Sequence, residues 1–409
     1  MSSSSKPPII LCNSDWNSVP QWGLLAQTCD AKAVRVGIDV NTTTCAIATG
    51  TQGAGKSYAL KSILENYVMP IRGANELVVP GCALVFHQSQ SQDYKPELTR
   101  MGEPNGNKRE LEALAEWGIT PTGAKEIVVL TPPKLVERRR AEFPTLQVEP
   151  LLINEQEASV ESWLNLLGDA SSSSPEIEVL LETMEDLREN LSMGALVERI
   201  VNNPLLEDAQ KKFLQLKLKK ATKFMTTGEG IMRHFRPGRV IIADLRDEFL
   251  SQTQAFRLLL VLLDVFQNAR MDGGRLFPKI LVADEAHEYA NDAYLVRNFV
   301  RMVRLMRHKA LTILIGSQDP MSIHATIKEL SSLTIMLNSE SDGWVKDMAA
   351  AKAPIGRVPT EFFCGLEPGE CWIWSRFASH PEFTAKPQRC RIRPGASMHG
   401  GFTKVAVSG

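Results

Sequence analysis

The eight residues Gly50-Thr51-Gln52-Gly53-Ala54-Gly55-Lys56-Ser57 constrain this chain more than any other stretch. They satisfy the pattern G-x-x-x-x-G-K-[ST] at every fixed position. Before them, Thr44-Cys45-Ala46-Ile47-Ala48-Thr49 is a short run of small and β-branched residues, as expected of a buried strand. After them, the segment from Ser57 to Val68 places Leu60, Ile63, Leu64 and Tyr67 at helical spacing. A strand, a glycine-rich turn and a helix aim backbone N–H groups and the positive end of the helix at one point, which is what a polyphosphate requires. Lys56 is predicted to reach the β- and γ-phosphates, and the Ser57 hydroxyl to ligate Mg²⁺. The expected nucleotide-contacting set is Gly50, Gln52, Gly53, Ala54, Gly55, Lys56, Ser57 and Tyr58, with ATP and Mg²⁺ as the bound species. A chance glycine-rich turn is the alternative, and the flanking strand and helix argue against it.

The 409 residues are enough for two or three domains, or for one large domain with insertions, and the 44% apolar content supports a sizeable core. With 46 basic and 47 acidic residues the net charge is −1, so any contact with nucleic acid must come from a local patch or channel. Seven cysteines without a C-x-x-C spacing indicate neither a zinc site nor a disulfide framework, and reduced cytosolic thiols are the simplest account. Met1 to Pro8 has no apolar region of a secretory signal. The run from Leu258 to Phe266 contains Asp264 and is too short to span a bilayer. A cytoplasmic protein without membrane insertion is expected.

Further buried strands are predicted at Cys82 to His87, Glu126 to Leu130, Arg239 to Asp244, Lys279 to Glu285, Leu311 to Gly316 and Leu333 to Leu337. Helices are predicted at Thr253 to Arg270 and at Asp292 to His308. Strands alternating with helices define an α/β fold with a mainly parallel central sheet covered on both faces. Residues 1–43 form a lead-in segment with short strands around Trp22 and Val34 to Val40, packing on the core or covering the base. Residues 44–150 are the first part of the core, with 89–110 read as a loop. Residues 151–234 are a helical insertion with a flexible link at Ser171 to Ser174. Residues 235–394 are the second part of the core, closing with strands near Cys371 and Arg389 as an edge hairpin, and 395–409 are a tail. The stretch Lys211 to Lys220 is the most basic in the chain, either a solvated helix face or a DNA contact.

Asp284-Glu285 ends an apolar strand. A carboxylate at such a strand end holds the Mg²⁺ water shell in P-loop enzymes, and a second one beside it orients and deprotonates the attacking water. Asp284 is therefore assigned to Mg²⁺ and Glu285 to the base; a helix N-cap pair is the alternative. Gln318, in Ser317-Gln318-Asp319-Pro320 after the next strand, is placed to sense the γ-phosphate or orient water, against the plainer reading of an Asp-Pro turn. Arg297, Arg301, Arg304 and Arg307 are spaced to share one helix face. Either that face is solvated, or one arginine enters a neighbouring subunit's site as a finger. Asp244, at another apolar strand end, is a supporting group or a cap.

Taken together, the phosphate loop, the strand ending Asp244-Leu245, the run Leu281 to His287 and the strand ending Ser317-Gln318-Asp319-Pro320 resemble the HerA/FtsK superfamily of P-loop ATPases, on the HerA side. The late segment Arg391-Ile392-Arg393-Pro394 through His399-Gly400-Gly401 fits the same pattern, and the resemblance covers residues 37 to 401. It implies a RecA-like core, a hexameric ring and ATP-driven movement of double-stranded DNA. It also makes Arg307 the first choice for the finger, with Arg304 second. Two departures stand out. Fewer than fifty residues precede the phosphate loop, where HerA proteins carry a β-barrel that docks a nuclease, and Ala310 stands where the family has a glycine. Asp284-Glu285-Ala286-His287 also matches the DEAH label of RNA helicases, but no Ser-Ala-Thr motif or late arginine-rich helicase segment follows. Two rivals to a DNA motor remain, an ATPase that pumps protein, and one that assembles on ATP to regulate a partner effector, as in antiphage defence.

Overall fold

The computed structural model describes residues 6–89, 91–168, 174–284 and 293–401. The chain opens with β1 (Ile9–Leu11), β2 (Trp22–Thr28), β3 (Arg35–Asp39) and β4 (Cys45–Thr49), then the glycine-rich turn and helix α1 (Lys56–Val68). A two-residue β5 (Asn75–Glu76) pairs with β2, and β6 (Cys82–His87) follows. Next come α2 (Lys108–Trp117), β7 (Glu126–Thr131), α3 (Val136–Glu142) and β8 (Gln147–Pro150).

Four helices come next, α4 (Val160–Leu167), α5 (Pro175–Leu187), α6 (Met193–Val201) and α7 (Asp208–Ala221), bracketed by the two-residue strands β9 (Ile153–Asn154) and β10 (Met225–Thr226), which pair with each other. Then come β11 (Arg239–Asp244), α8 (Gln252–Asn268), β12 (Lys279–Ala283), α9 (Ala293–Leu305), β13 (Leu311–Ser317) and α10 (Ala325–Leu330). The chain ends with β14 (Leu333–Met336), α11 (Asp342–Ala351), β15 (Glu370–Ser375), α12 (Glu382–Ala385) and β16 (Gln388–Ile392).

Among the described residues, fourteen strands form one sheet in the order β1-β3-β2-β16-β15-β14-β4-β13-β12-β6-β11-β7-β8, with β5 beside β2. From β14 to β8 every pairing is parallel. The two-residue period of a strand divides its side chains between two cores. Cys45, Ile47, Leu281, Ile313 and Ile315 face one core with α8, α9 and the helices α4 to α7. Ala46, Ala48, Ile280, Val282 and Leu314 face the other with α1. Burial on both faces is why these strands read as unbroken apolar runs. Ser251 starts α8 with a reciprocal pair, its hydroxyl accepting from Gln254 N–H while the Gln254 side chain accepts from Ser251 N–H.

Three placements differ from the sequence reading. The strands β15 and β16 are an internal hairpin, because β16 continues antiparallel onto β2, with Ile392 opposite Ala26. The lead-in strands thus extend the sheet. The segment read as a loop over 89–110 contains a 3₁₀ turn at Glu97–Gly102 and the start of α2, capped by Asn107 and ended by Gly118 in the left-handed region at φ 69°. Residues 393–401 run back along α1 from its middle toward its first turn. Arg393 bonds the Ser62 carbonyl and Glu65, Lys61 reaches Ser397, and Gly395 N–H donates to the Tyr58 hydroxyl at 2.5 Å.

Candidate nucleotide site

β4 is buried along its whole length and delivers the chain to the turn. Gly53 (φ 77°) and Gly55 (φ 95°) take left-handed conformations that a side chain would strain. Gly55 is the N-cap of α1 and offers no capping side chain, so the first N–H groups of the helix keep their capacity for an anion. Ala54 N–H closes the turn on the Thr51 carbonyl at 3.2 Å, and Thr51 N–H anchors it to the Asn338 carbonyl at 2.9 Å, just past β14. Gln52 and Gly53 form the exposed tip, whereas Ala54, Gly55, Ser57 and Tyr58 are half-buried. Lys56 is buried, and its ammonium donates to the Thr51 carbonyl at 3.0 Å, inside the turn.

The register of the sheet brings the acidic strand end to the same place. β13 lies between β4 and β12, with Ser317 opposite Thr49 and Ile315 opposite Ala283. Asp284 follows Ala283 directly, and the Ser57 hydroxyl donates to its Oδ2 at 2.6 Å across β13. The crossing depends on Gly316, where a Cβ would overlap Asp284 Oδ1. Glu285 lies outside the described residues. Gln318 is the residue after β13, level with Gly50 in the paired register and half-buried. Its turn is braced by Ser317, which donates to the Asp319 carbonyl at 2.8 Å, and by Asp319, which accepts from Met321 N–H at 3.0 Å.

The arginines sit elsewhere. Arg297, Arg301 and Arg304 are exposed on α9, and Arg301 pairs with Glu161 at 3.2 Å. Arg307 is exposed on a 3₁₀ turn (Met306–Lys309) that ends at Ala310, whose φ of 52° is the conformation a glycine would supply without strain. This turn precedes the N-terminal end of β13, whereas the phosphate loop follows the C-terminal end of the parallel β4. The seven residues of β13 separate the two by roughly 20 Å, so Arg307 is out of reach of its own loop. Asp244 is fully buried between Arg139, at 2.9 Å, and Arg246, at 2.6 Å, ion pairs that tie α3 to the end of β11.

Sequence reasoning missed a group beside Ser57. Glu97 stands 3.2 Å from His399 Nε2, whose ring lies on Tyr58, the residue after Ser57. Burial acts to raise the Glu97 pKa, but the hydrogen bond and charge of His399 outweigh this and hold it below the usual carboxylate range. The His399 ring packs edge-on against Tyr58 at 5.5 Å, and the Tyr58 hydroxyl donates to Glu110 at 2.7 Å. Nearby, burial lowers His87 at the end of β6, and its Nε2 is 2.8 Å from the Tyr94 carbonyl. No signal short of the fold links Glu97 or His399 to Ser57.

A hydroxyl and a carboxylate beside a glycine-rich turn at a helix N-terminus are hard oxygen donors of the kind a nucleotide-held Mg²⁺ takes, and Lys56 would supply the charge for the phosphates. The fold and this arrangement are those of the RecA-like P-loop NTPase fold class. No family model matches the sequence, and no curated protein matches it either. Among solved structures, VirB4 of Thermoanaerobacter pseudethanolicus shares the fold over 90% of this chain and 96% of its own, with a TM-score of 0.55 at 11% identity. The bacterial conjugative coupling protein TrwB, in its unbound ΔN70 form, aligns over 90% of this chain and 88% of its own (TM-score 0.50, 12% identity). TrwB with the non-hydrolysable ATP analogue ADPNP aligns over 87% and 88% (TM-score 0.51, 12% identity). At these identities the likeness is one of fold.

Proposed function

We propose that this chain is an ATP-hydrolysing motor of the HerA/FtsK superfamily that assembles as a ring, a hexamer by the resemblance, and moves double-stranded DNA. The observation that carries the ATPase reading is the Ser57–Asp284 hydrogen bond, which joins the phosphate loop to the acidic strand end two strands away. In this reading the loop amides and Lys56 bind the phosphates of ATP, and Ser57 and Asp284 hold Mg²⁺. The metal, when bound, spreads charge from the β- and γ-oxygens. Glu285 accepts the proton of the attacking water, and Gln318 positions that water or senses the γ-phosphate.

The DNA assignment draws on the motif resemblance and on the fold shared with a conjugative coupling protein. Residues 151–234 act as the helical insertion between the two parts of the core. Among the described residues no helix is long and apolar enough to cross a membrane. The test is the steady-state ATPase rate with and without double-stranded DNA over a salt series. Stimulation that fades as salt rises is the expected result, because phosphate contacts release counterions.

A second reading, an ATPase that regulates a partner effector, is favoured by α7. There Phe213 and Leu216 are 52% and 53% exposed beside the exposed Lys212, Lys219 and Lys220, a surface that suits a protein partner. A rate indifferent to DNA at low salt, in an assembled sample, would select this reading.

The distance between Arg307 and its own loop makes a second test possible. Lys56→Ala and Arg307→Ala subunits, each inactive alone, are expected to recover hydrolysis when mixed, because a mixed interface pairs an intact loop with an intact arginine. Co-assembled mixtures that stay inactive would rule Arg307 out as a group acting in trans, and Arg304 would be next to test.

A further inference from the structure

The helical insertion sorts its charge between two helices. Over its 13 residues α5 carries Glu176, Glu178, Glu182, Glu185 and Asp186 and no basic side chain. Over its 14 residues α7 carries Lys211, Lys212, Lys217, Lys219 and Lys220 against Asp208 alone. Each helix buries one stripe in the same core, Ile177, Leu180 and Met184 on α5 and Leu214, Leu218 and Ala221 on α7. The opposite faces are exposed. On α5 that face is Glu178, Leu181, Glu182, Glu185 and Asp186, with Leu181 38% exposed in its middle. On α7 it is Lys212, Phe213, Leu216, Lys219 and Lys220.

Little inside the chain answers these charges. Glu185 pairs with Arg188 at 3.4 Å, but among the described residues Glu178, Glu182, Asp186, Lys212, Lys219 and Lys220 take part in no ion pair. Lys217 lies over the Phe213 ring at 4.5 Å, so a cation and an aromatic ring share the patch on α7. The two faces do not satisfy each other within one copy. Their buried stripes hold both helices to one core, and Gln210 donates to Glu176 at 2.7 Å where their first turns meet, so each charged face stays turned to solvent. An exposed apolar centre rimmed by charge is the composition of a contact surface. Every copy of this chain carries both the basic form of that surface and its acidic counterpart.

We propose that the acidic face of α5 in one copy docks on the basic, apolar-centred face of α7 in the next, so that the insertion forms a seam between subunits. The inference rests on the ring-forming reading of this chain. Leu181 meets Phe213 and Leu216 in the middle, and the carboxylates meet the lysines around them. Opposite charge at close range fixes register and orientation, and it excludes α5 on α5 or α7 on α7, which would set like charges together. Because the two faces differ, the contact runs head to tail, and each added copy presents the face that the next one needs. Such a contact generates a ring when its rotation closes.

The test reverses each face in the full chain and reads assembly by light scattering over a protein dilution series, with Mg²⁺ and a non-hydrolysable ATP analogue present. Lys212→Glu, Lys219→Glu and Lys220→Glu together, or Glu178→Lys, Glu182→Lys and Asp186→Lys together, are each expected to raise the protein concentration at half-assembly at least about tenfold, because like faces then meet. Affinity for a fluorescent ADP analogue, whose site uses none of these residues, is expected to stay at the wild-type value and shows that the variants fold. Mixing the two variants is expected to restore assembly, since each supplies the face that the other now needs. Should either triple variant fail to fold, Leu216→Glu on α7 and Leu181→Lys on α5, both at exposed positions, take their places with the same outcomes expected. Assembly that ignores the reversals would overturn the proposal. So would lost assembly that mixing of folded variants does not recover. Intact assembly with loss of DNA stimulation in the α7 variant would also overturn it, and would make that face a DNA contact. A wild-type protein that stays monomeric with both nucleotide and DNA would instead remove the ring on which the inference stands.

Discussion

Replacing Lys56 with alanine is expected to lower ATP turnover by at least about two orders of magnitude, the scale seen when one pre-organised donor to a developing charge is removed. The residue is only 5% exposed and its ammonium already lies within the turn, donating to the Thr51 carbonyl. Nucleotide affinity should fall as well, because Lys56 meets the phosphates in the ground state. Glu285→Gln is expected to separate these effects, leaving binding intact and abolishing turnover, since it removes a proton acceptor and no phosphate contact. Turnover and fluorescent-nucleotide binding, measured on both variants, check the pair. Wild-type turnover by Lys56→Ala would place the reaction away from this loop, and an active Glu285→Gln enzyme would remove that residue as the base.

The second large effect is on stability. Arg393 is fully buried and donates to the Leu24 carbonyl at 2.8 Å, the Ser62 carbonyl at 2.9 Å and Glu65 at 2.8 Å, joining β2, α1 and the segment after β16. Glu65 also accepts from Ala396 N–H, Ser397 N–H and the Ser397 hydroxyl, and pairs with Lys61 at 3.2 Å. Burial alone would raise the Glu65 pKa, but Lys61, Arg393 and the Ser397 donors overcome it and hold the carboxyl at about 2. Lys61 is pulled down, its burial outweighing the help it gets from Glu65. Glu65, with two cations and three donors around it, is the member whose charge the site secures. Arg393→Ala leaves that carboxylate short of a partner and is expected to cost about 3–5 kcal/mol.

The sign of the pH effect follows from the lowered pKa. The Glu65 contribution, on the order of 3 kcal/mol, is fully present above its ordinary pKa near 4.5 and is lost as pH falls from there toward 2. Removing Arg393 raises the folded-state pKa, so the variant should show a shallower acid loss, and its deficit against wild type should shrink below about pH 4. Denaturant midpoints at neutral and acid pH test this. Parallel pH profiles for the two proteins would mean that Glu65 is not held down by Arg393.

The parts of this fold that could be read in the sequence are those where one local pattern has one physical solution. Cys45–Thr49, Arg239–Asp244 and Lys279–Ala283 are buried on both faces, so each shows as an apolar run, and the loop motif announces the strand and helix around it. Helix α2 is hard to read because only Leu114 and Trp117 are fully buried, with Leu111 partly buried on the same core, too thin a stripe to register, although Asn107 and Gly118 mark its two ends. The neighbour of β16 was not legible because Ile392 and Ala26 are set together by long-range pairing, which leaves no periodicity in either strand. The same holds at the site. Asp284 could be named from its strand end, but that Ser57 bonds it depends on register, and Glu97 comes from a stretch whose Pro, Gly and polar content hides any purpose.

The two borders of the sheet bear on how a ring of such subunits would be built. At one border β8 is four residues long, carries Glu149 and stops at Pro150, which has no N–H to offer a fifteenth strand. At the other, the three residues of β1 follow Pro7 and Pro8. Its free side is taken up by residues 377–379, with Cys12 N–H on the Phe377 carbonyl at 2.7 Å and Ser379 N–H on the Ile10 carbonyl at 2.9 Å. With one margin blunted and the other covered, the large sheet offers a neighbouring copy little edge to extend. A ring of this chain, if the proposed function holds, would be joined through loops and helix surfaces, where a change of nucleotide could loosen one seam without unravelling a sheet.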